Sequence, residues 1–143
     1  MTDLPPLLRD QRAIDAEHLR LLRIFHFVYG ALALCGLLFL CAHYALMHTV
    51  FDNPAMWTGK NQHPPPPEFF AMFRWFYVFF GVFCVGAGLL NIASGVLLGR
   101  RTHRTFSIVV AALDCLNMPL GTLLGVFAIV VLTRDSVREV YGS

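Results

Sequence analysis

The twenty-three residues Phe76–Leu98 carry no charge, and Leu21–Met47 carry a single one, Arg23, with His26 and His43 as the only other titratable nitrogens. A helix needs about 20 apolar residues, at about 1.5 Å rise each, to cross a hydrocarbon core of about 30 Å. Both runs exceed that length, so each reads as a membrane span. The composition agrees: 57% of the 143 residues are hydrophobic and 14% are charged, against about a quarter charged in soluble domains. A net charge of +2 and the lack of a long basic run argue against nucleic acid as a partner.

The chain opens on a polar, proline-containing segment rather than a short basic region followed by an apolar one, so no cleaved signal peptide is expected. Residues 7–20 alternate Leu7, Leu8 and Ile14 with charged groups on a helical period that continues into Leu21 and Leu22. They read as an amphipathic cytoplasmic helix on the membrane surface. It leads into a first span at 21–48. Residues 49–70 form an outer loop, because Pro54 and Pro64–Pro67 exclude a helix there. Trp57, Phe69, Phe70, Trp75 and Tyr77 crowd its exit as an interfacial aromatic belt. The second span is 72–98. Cys35, Cys41, Cys84 and Cys115 lie inside apolar stretches with no C-x-x-C pair, and read as buried small hydrophobes.

The remaining apolar run, Arg104–Leu132, contains one acid, Asp114, and one proline, Pro119. As one helix it would be about 43 Å long, too long for the core unless tilted or kinked. As two helices each arm is short. Asn117-Met118-Pro119 is turn chemistry, since the residue before proline avoids the helical region and proline starts a new helix well. A hairpin also returns Arg134 and Arg138 to the side of Arg9, Arg12, Arg20, Arg23, Arg100, Arg101 and Arg104, leaving only Lys60 and Arg74 opposite. The expected fold is therefore an all-α membrane protein. It is an antiparallel four-transmembrane-helix bundle with an amphipathic N-terminal helix, a single domain over 1–143 whose third and fourth spans are 103–117 and 119–135. The alternative has three spans, the last long and kinked at Pro119. Both termini are expected on the cytoplasmic side of a bacterial inner membrane.

Helices in lipid associate by close packing of small residues. Gly81, Cys84, Gly88, Asn91 and Gly95 recur at spacings of three and four, a small-residue seam along the second span. Phe79, Phe80, Phe83, Leu90 and Val96 form the opposite, bulky face. Gly121 and Gly125 form a GxxxG, which suggests that the last hairpin packs on that seam. Asn117, Pro119 and Thr122 would make the hairpin turn.

Asp114 is the only acid well inside a span, and an intramembrane ionisable group is a functional hypothesis until its partner is known. Counted from the turn it could share a level with His43, with His48 nearby, as a proton or polar site. The competing reading is that Asp114 locks the hairpin turn. A haem would need facing axial ligands, for which His26 and His103 are the only pair. Met47, His48, Met56 and His63 have copper-like chemistry but lie at or in the loop. No metal or cofactor is expected, and catalytic templates such as a phosphate-cradling glycine loop, a serine elbow or a zinc helix motif are absent.

Three stretches are distinctive as strings: "EHLRLLRIFH" at 17–26, "RRTHRTF" at 100–106 and "DCLNMPLGTLLGVF" at 114–127. In these the chain resembles an uncharacterised family of small bacterial four-span integral membrane proteins. The resemblance implies that topology, and implies that Glu17, His18, His26, Asp114, Cys115, Pro119, Gly121, Thr122 and Gly125 occupy the family's motif positions. Asn117 departs from it, standing where similar proteins have an apolar residue. It implies no activity. The expected function is a non-enzymatic structural or accessory role, with the bilayer, a second copy or another membrane protein as partner. A small transporter or proton-coupled site at Asp114 and His43 is the rival, and a metal- or haem-binding subunit a weaker one. Glu17 and His18 would face the arginine turn at 100–104.

Overall fold

The computed structural model describes residues 6–58 and 63–141, so Lys60 lies outside the described residues. The elements are α1 (Pro6–Phe51), a 3-10 turn (Pro54–Trp57), α2 (Pro67–Arg100), α3 (Arg104–Asp114), α4 (Leu120–Leu132) and α5 (Asp135–Tyr141). There is no strand among the described residues. The amphipathic segment and the first span are one unbroken helix of 46 residues, because no glycine, proline or capping residue interrupts the chain near Leu21. That helix buries Asp15, Leu19 and Leu22 and leaves Ile14 and Leu21 exposed, a different face from the one expected. The side chains of Leu7 and Leu8 lie outside the described residues.

α1 stops where Asn53 accepts the backbone N–H of Ala55 at 3.0 Å and Pro54 opens the 3-10 turn. The Trp57 indole N–H then donates to the Phe51 carbonyl at 3.0 Å, satisfying one of the acceptors a helix leaves at its end. α2 begins earlier than expected, at Pro67, which suits a first helical position. Glu68 follows in the first turn, where a carboxylate meets the positive end of the helix dipole.

α1 and α2 are long and apolar enough to cross a membrane, and a third span is reached only by counting α4 with α5, which are bent by 78° at their junction. α3 and α4 have 11 and 13 residues. They are thus about 17 and 20 Å long, short of the about 30 Å expected of a full crossing. They are folded back on each other, so the single long helix kinked at Pro119 is not formed. The chain leaves helical geometry over Cys115–Pro119, where Asn117 and Pro119 were expected to turn it, and the Met118–Pro119 peptide is cis.

The chain divides into two compact units, residues 32–86 and residues 1–31 with 87–143. In the first, Gly81 faces Leu37 and Leu40, and Gly36 lies against Cys84 Sγ. Aromatic rings fill the rest: Phe51 stacks on Trp57 and meets Phe69, Phe70 and Phe73 edge-on, and Tyr44 meets Tyr77. In the second, Gly30 approaches the Gly88 carbonyl and Ile92, and Gly95 lies against Phe27 and the Arg23 carbonyl. The glycines of the α2 seam therefore take α1 as their partner, and Gly121 and Gly125 do not pack on them. Gly121 faces the Asp114 carbonyl and the Tyr29 hydroxyl, and Gly125 faces the Ala111 carbonyl and Cys115. The reason is steric: the GxxxG is used to bring α4 onto the backbone of α3 in its own hairpin. The bulky residues Phe79, Phe80, Phe83, Leu90 and Val96 are exposed, as expected of a lipid-facing surface.

Leu19, Leu22, Leu98, Ala111, Leu124, Ala128, Val131, Leu132 and Val137 form the core of the second unit. At its polar end, the Arg104 guanidinium Nε donates to the Leu132 carbonyl at 2.5 Å and so caps the C-terminus of α4 from the start of α3. The cysteines are free; Cys35 and Cys41 are exposed rather than buried, and Cys84 and Cys115 are half-buried.

Candidate functional site

Asp114 ends α3 and is buried. The Asn91 side-chain N–H donates to its Oδ1 at 2.8 Å and to the Ala87 carbonyl at 3.1 Å. The Asp114 carbonyl accepts the backbone N–H of Asn117 at 2.9 Å, and the Asn117 amide donates to the Tyr29 hydroxyl at 2.5 Å. Thr122 Oγ1 closes the turn from the other side by donating to the Cys115 carbonyl at 2.9 Å. Asp114 thus ties the tip of the α3–α4 hairpin to α2 through Asn91 and Asn117 ties it to α1 through Tyr29, while Thr122 closes the tip on itself.

The two anchors lie well inside their helices. Tyr29 stands eight residues beyond Leu21, and Asn91 nine residues before Arg100. Along the helices these separations are about 12 and 14 Å, and Tyr29 is about 9 Å beyond Arg23, the last basic residue of α1. The tip itself is apolar and uncovered, with Leu116 82% and Met118 81% exposed.

Not every polar atom in this unit is satisfied. Asp114 Oδ2, Asn91 Oδ1, Ser94 Oγ, Ser107 Oγ and His26 Nε2 are buried without a partner. His26 Nδ1 lies 2.9 Å from the Leu22 carbonyl and donates to it, while its Nε2 has no partner. A buried polar atom without a partner costs about 1–3 kcal/mol. Ser107 and Asp114, seven apart, share one face of α3, as Asn91 and Ser94 share one face of α2.

Asp114 and His43 fall in different units, and their hydrogen-bond partners differ. His43 Nδ1 pairs with the Tyr77 hydroxyl at 2.5 Å, and His48 pairs with Asp52 at 2.8 Å, both exposed. Among the described residues no group of three or more His, Cys, Asp or Glu is arranged to hold a metal. Of the candidate haem ligands His26 is enclosed and His103 exposed; His103 has φ 51° in the turn before α3.

A second polar cluster escaped sequence reasoning. Asp15, 2% exposed, accepts from Gln11 at 3.0 Å, from Arg134 at 3.1 Å and from the Ser136 hydroxyl. Burial alone would raise its pKa, but the hydrogen bonds from Ser136, Arg134 and Gln11 and the Arg134 charge outweigh it and hold the carboxyl below its ordinary 3.8. Arg134 Nη1 also lies 3.3 Å from His18 Nδ1, so His18 meets Arg134 rather than the arginine turn at 100–104. The signal was present: Asp15, Leu19, Leu22 and His26 recur at four, three and four, so Asp15 continues the buried stripe of α1.

No protein-family model, curated protein or solved structure matches this chain.

Proposed function

We propose that this chain is a non-enzymatic accessory protein of a bacterial inner membrane, acting through helix contacts with itself or another membrane protein. The observation that carries this reading is the use made of Asp114. The one acid deep in an apolar helix has Asn91 on its carboxylate and Asn117 on its carbonyl, which is what a hairpin lock requires. Asp114→Asn keeps the Oδ1 acceptor that Asn91 uses. It is expected to leave the unfolding free energy in mild detergent unchanged, whereas Asp114→Leu loses about 0.6–1.7 kcal/mol, the range for interhelical hydrogen bonds in membranes. Isolation of the protein from its native membrane in mild detergent is expected to retain a second copy or a partner protein; a bare monomer would contradict the reading.

The unpartnered Asp114 Oδ2 favours a second reading, a proton-coupled or transport site at Asp114, with His43 as the expected second group. The same Asp114→Asn variant separates the two. A changed ion or drug sensitivity in a host making normal amounts of the variant supports transport; an unchanged host supports the lock.

For topology, α1 and α2 cross the bilayer and both termini are cytoplasmic. The α3–α4 hairpin enters from the cytoplasmic side and turns back near the bilayer centre, in place of two further full crossings. The Tyr29 and Asn91 anchors, well inside their helices, and the exposed apolar tip support this. In a cysteine-free background, Met118→Cys is expected to resist a membrane-impermeant maleimide applied from the outer side, and a reporter fused after Ser143 is expected to read as cytoplasmic. Labelling of Met118→Cys from outside would restore four full spans.

A further inference from the structure

Where the last turns of α1 meet the first turns of α2 there is a cavity of about 400 Å³ whose wall includes Tyr44, Phe51, Phe73, Arg74 and Tyr77. A second cavity, of about 330 Å³, is lined by Leu37, Leu40, Cys41 and Val78 and by the same Tyr44, Arg74 and Tyr77. Tyr44, Arg74 and Tyr77 line both, so the two adjoin and are treated as one recess. Its ends differ chemically. The first is walled by aromatic rings and polar groups, and the second is almost wholly hydrocarbon apart from the shared residues.

His48 and Asp52 answer each other at 2.8 Å, and the His43 ring is held by the Tyr77 hydroxyl. Arg74 forms no ion pair among the described residues; the carboxylate on the same wall, Asp52, is engaged by His48 instead. A guanidinium presents a planar fork of donors that matches phosphate oxygens. Aromatic rings of this density mark the depth of lipid headgroups. From Tyr44 to Leu37 the groove follows α1 for seven residues, about 10 Å, room for the upper part of an acyl chain.

We infer that the recess binds an anionic phospholipid, with its phosphate on Arg74 and one acyl chain along Leu37, Leu40, Cys41 and Val78. The inference rests on α1 and α2 crossing the bilayer, which is established separately if the protein leaves membranes only with detergent. It does not depend on the accessory role.

The test is a thermal-unfolding and tryptophan-fluorescence titration of the full chain in mild zwitterionic detergent. Trp75 adjoins Arg74 in sequence, and Trp57 stacks on Phe51 of the cavity wall, so both report on the site. Phosphatidylglycerol is expected to bind about tenfold more tightly than phosphatidylcholine of the same chains, because both offer Arg74 a phosphodiester but the choline cation of the second is repelled by the guanidinium. Arg74→Gln is expected to abolish that preference and Arg74→Lys to keep part of it. Cys41→Phe, which fills the groove, is expected to weaken both lipids alike. Equal binding of the two lipids by wild type would overturn the inference, as would an unchanged preference in Arg74→Gln. So would inorganic phosphate reproducing the full phosphatidylglycerol shift, because the acyl chain would then have no part in binding.

Discussion

Gly125→Leu is expected to open the α3–α4 hairpin and to remove most of the folded protein recovered in detergent. A Cβ at position 125 would meet the Ala111 carbonyl oxygen, the Cys115 Sγ at 2.5 Å and the Cys115 backbone nitrogen at 3.0 Å. Two of these three are backbone atoms of the facing arm and cannot turn aside as the end of a flexible side chain can. Even Gly125→Ala should therefore cost about 1–3 kcal/mol as an overpacked contact. Leucine adds bulk that the hairpin can accept only by separating. Against a total stability of about 5–15 kcal/mol, that separation also exposes the buried Leu124 and Ala128 and withdraws Thr122 from the Cys115 carbonyl. Gly86→Ala is the control, because nothing lies within 4 Å of a Cβ there. Alanine exceeds glycine in helix propensity by about 1 kcal/mol, so Gly86→Ala should be neutral or stabilising. Thermal unfolding by circular dichroism and size-exclusion profiles of the three variants check the order. Normal assembly of Gly125→Leu would show that α3 and α4 do not pack as described.

The difference between these glycines shows what could be read from sequence. The small-residue spacing on α2 identified the seam, and the bulky residues opposite it are exposed as expected. The choice of partner was not readable. A glycine stripe states that something approaches closely but not what, and the GxxxG at Gly121 and Gly125 pointed to the last hairpin. Gly30 and Gly36 on α1, which complete the contacts with Gly88 and Cys84, sit among larger residues with no heptad to reveal them. The turn at Asn117–Pro119 was legible because its chemistry is local. The depth of the turn was not, since it depends on Asn117 reaching Tyr29, 88 positions away, and on Asn91 reaching Asp114. Counting from the ends of an apolar run gives length along the chain and assumes a full crossing. The helical arms are 11 and 13 residues long, and the hydrogen-bond partner of Asp114 is Asn91, which no count along the chain identifies.

Charged residues near the N-terminus illustrate a different failure. Sorting residues into apolar and polar placed Asp15 on the solvent side of an amphipathic helix, although its spacing with Leu19 and Leu22 puts it on the buried side. A carboxylate can occupy that stripe only if the facing elements bring donors to it. Those donors, Arg134 and Ser136, lie at the other end of the chain, where local pattern offers no hint of them.

Removing that carboxylate should release α5. In Asp15→Ala the Arg134 guanidinium loses its partner at 3.1 Å, and the hydroxyl of Ser136 and the amide of Gln11 lose their acceptor. Breaking a fully buried pair costs about 3–5 kcal/mol. Here the Arg134 side chain is 35% exposed and can turn to water, which lowers the expected cost to about 2 kcal/mol. The consequence should be local first, because α5 joins α4 at a sharp bend and keeps a single buried apolar residue, Val137. Trypsin cleavage after Arg134 and Arg138, measured under conditions where opening is fast relative to cutting, should accelerate about 30-fold, the equivalent of 2 kcal/mol. Far-UV dichroism of the membrane helices should barely change. Asp15→Asn keeps an acceptor but not the charge, and should fall between. The pH dependence has a defined sign. The folded pKa of Asp15 lies below 3.8, so its contribution is complete above the ordinary carboxylate range and is lost as pH falls through the folded value. Wild type and Asp15→Ala should therefore differ most at neutral pH and converge as pH drops below about 4, and a gap that stays constant down to pH 3 would exclude Asp15 as the charged partner of Arg134.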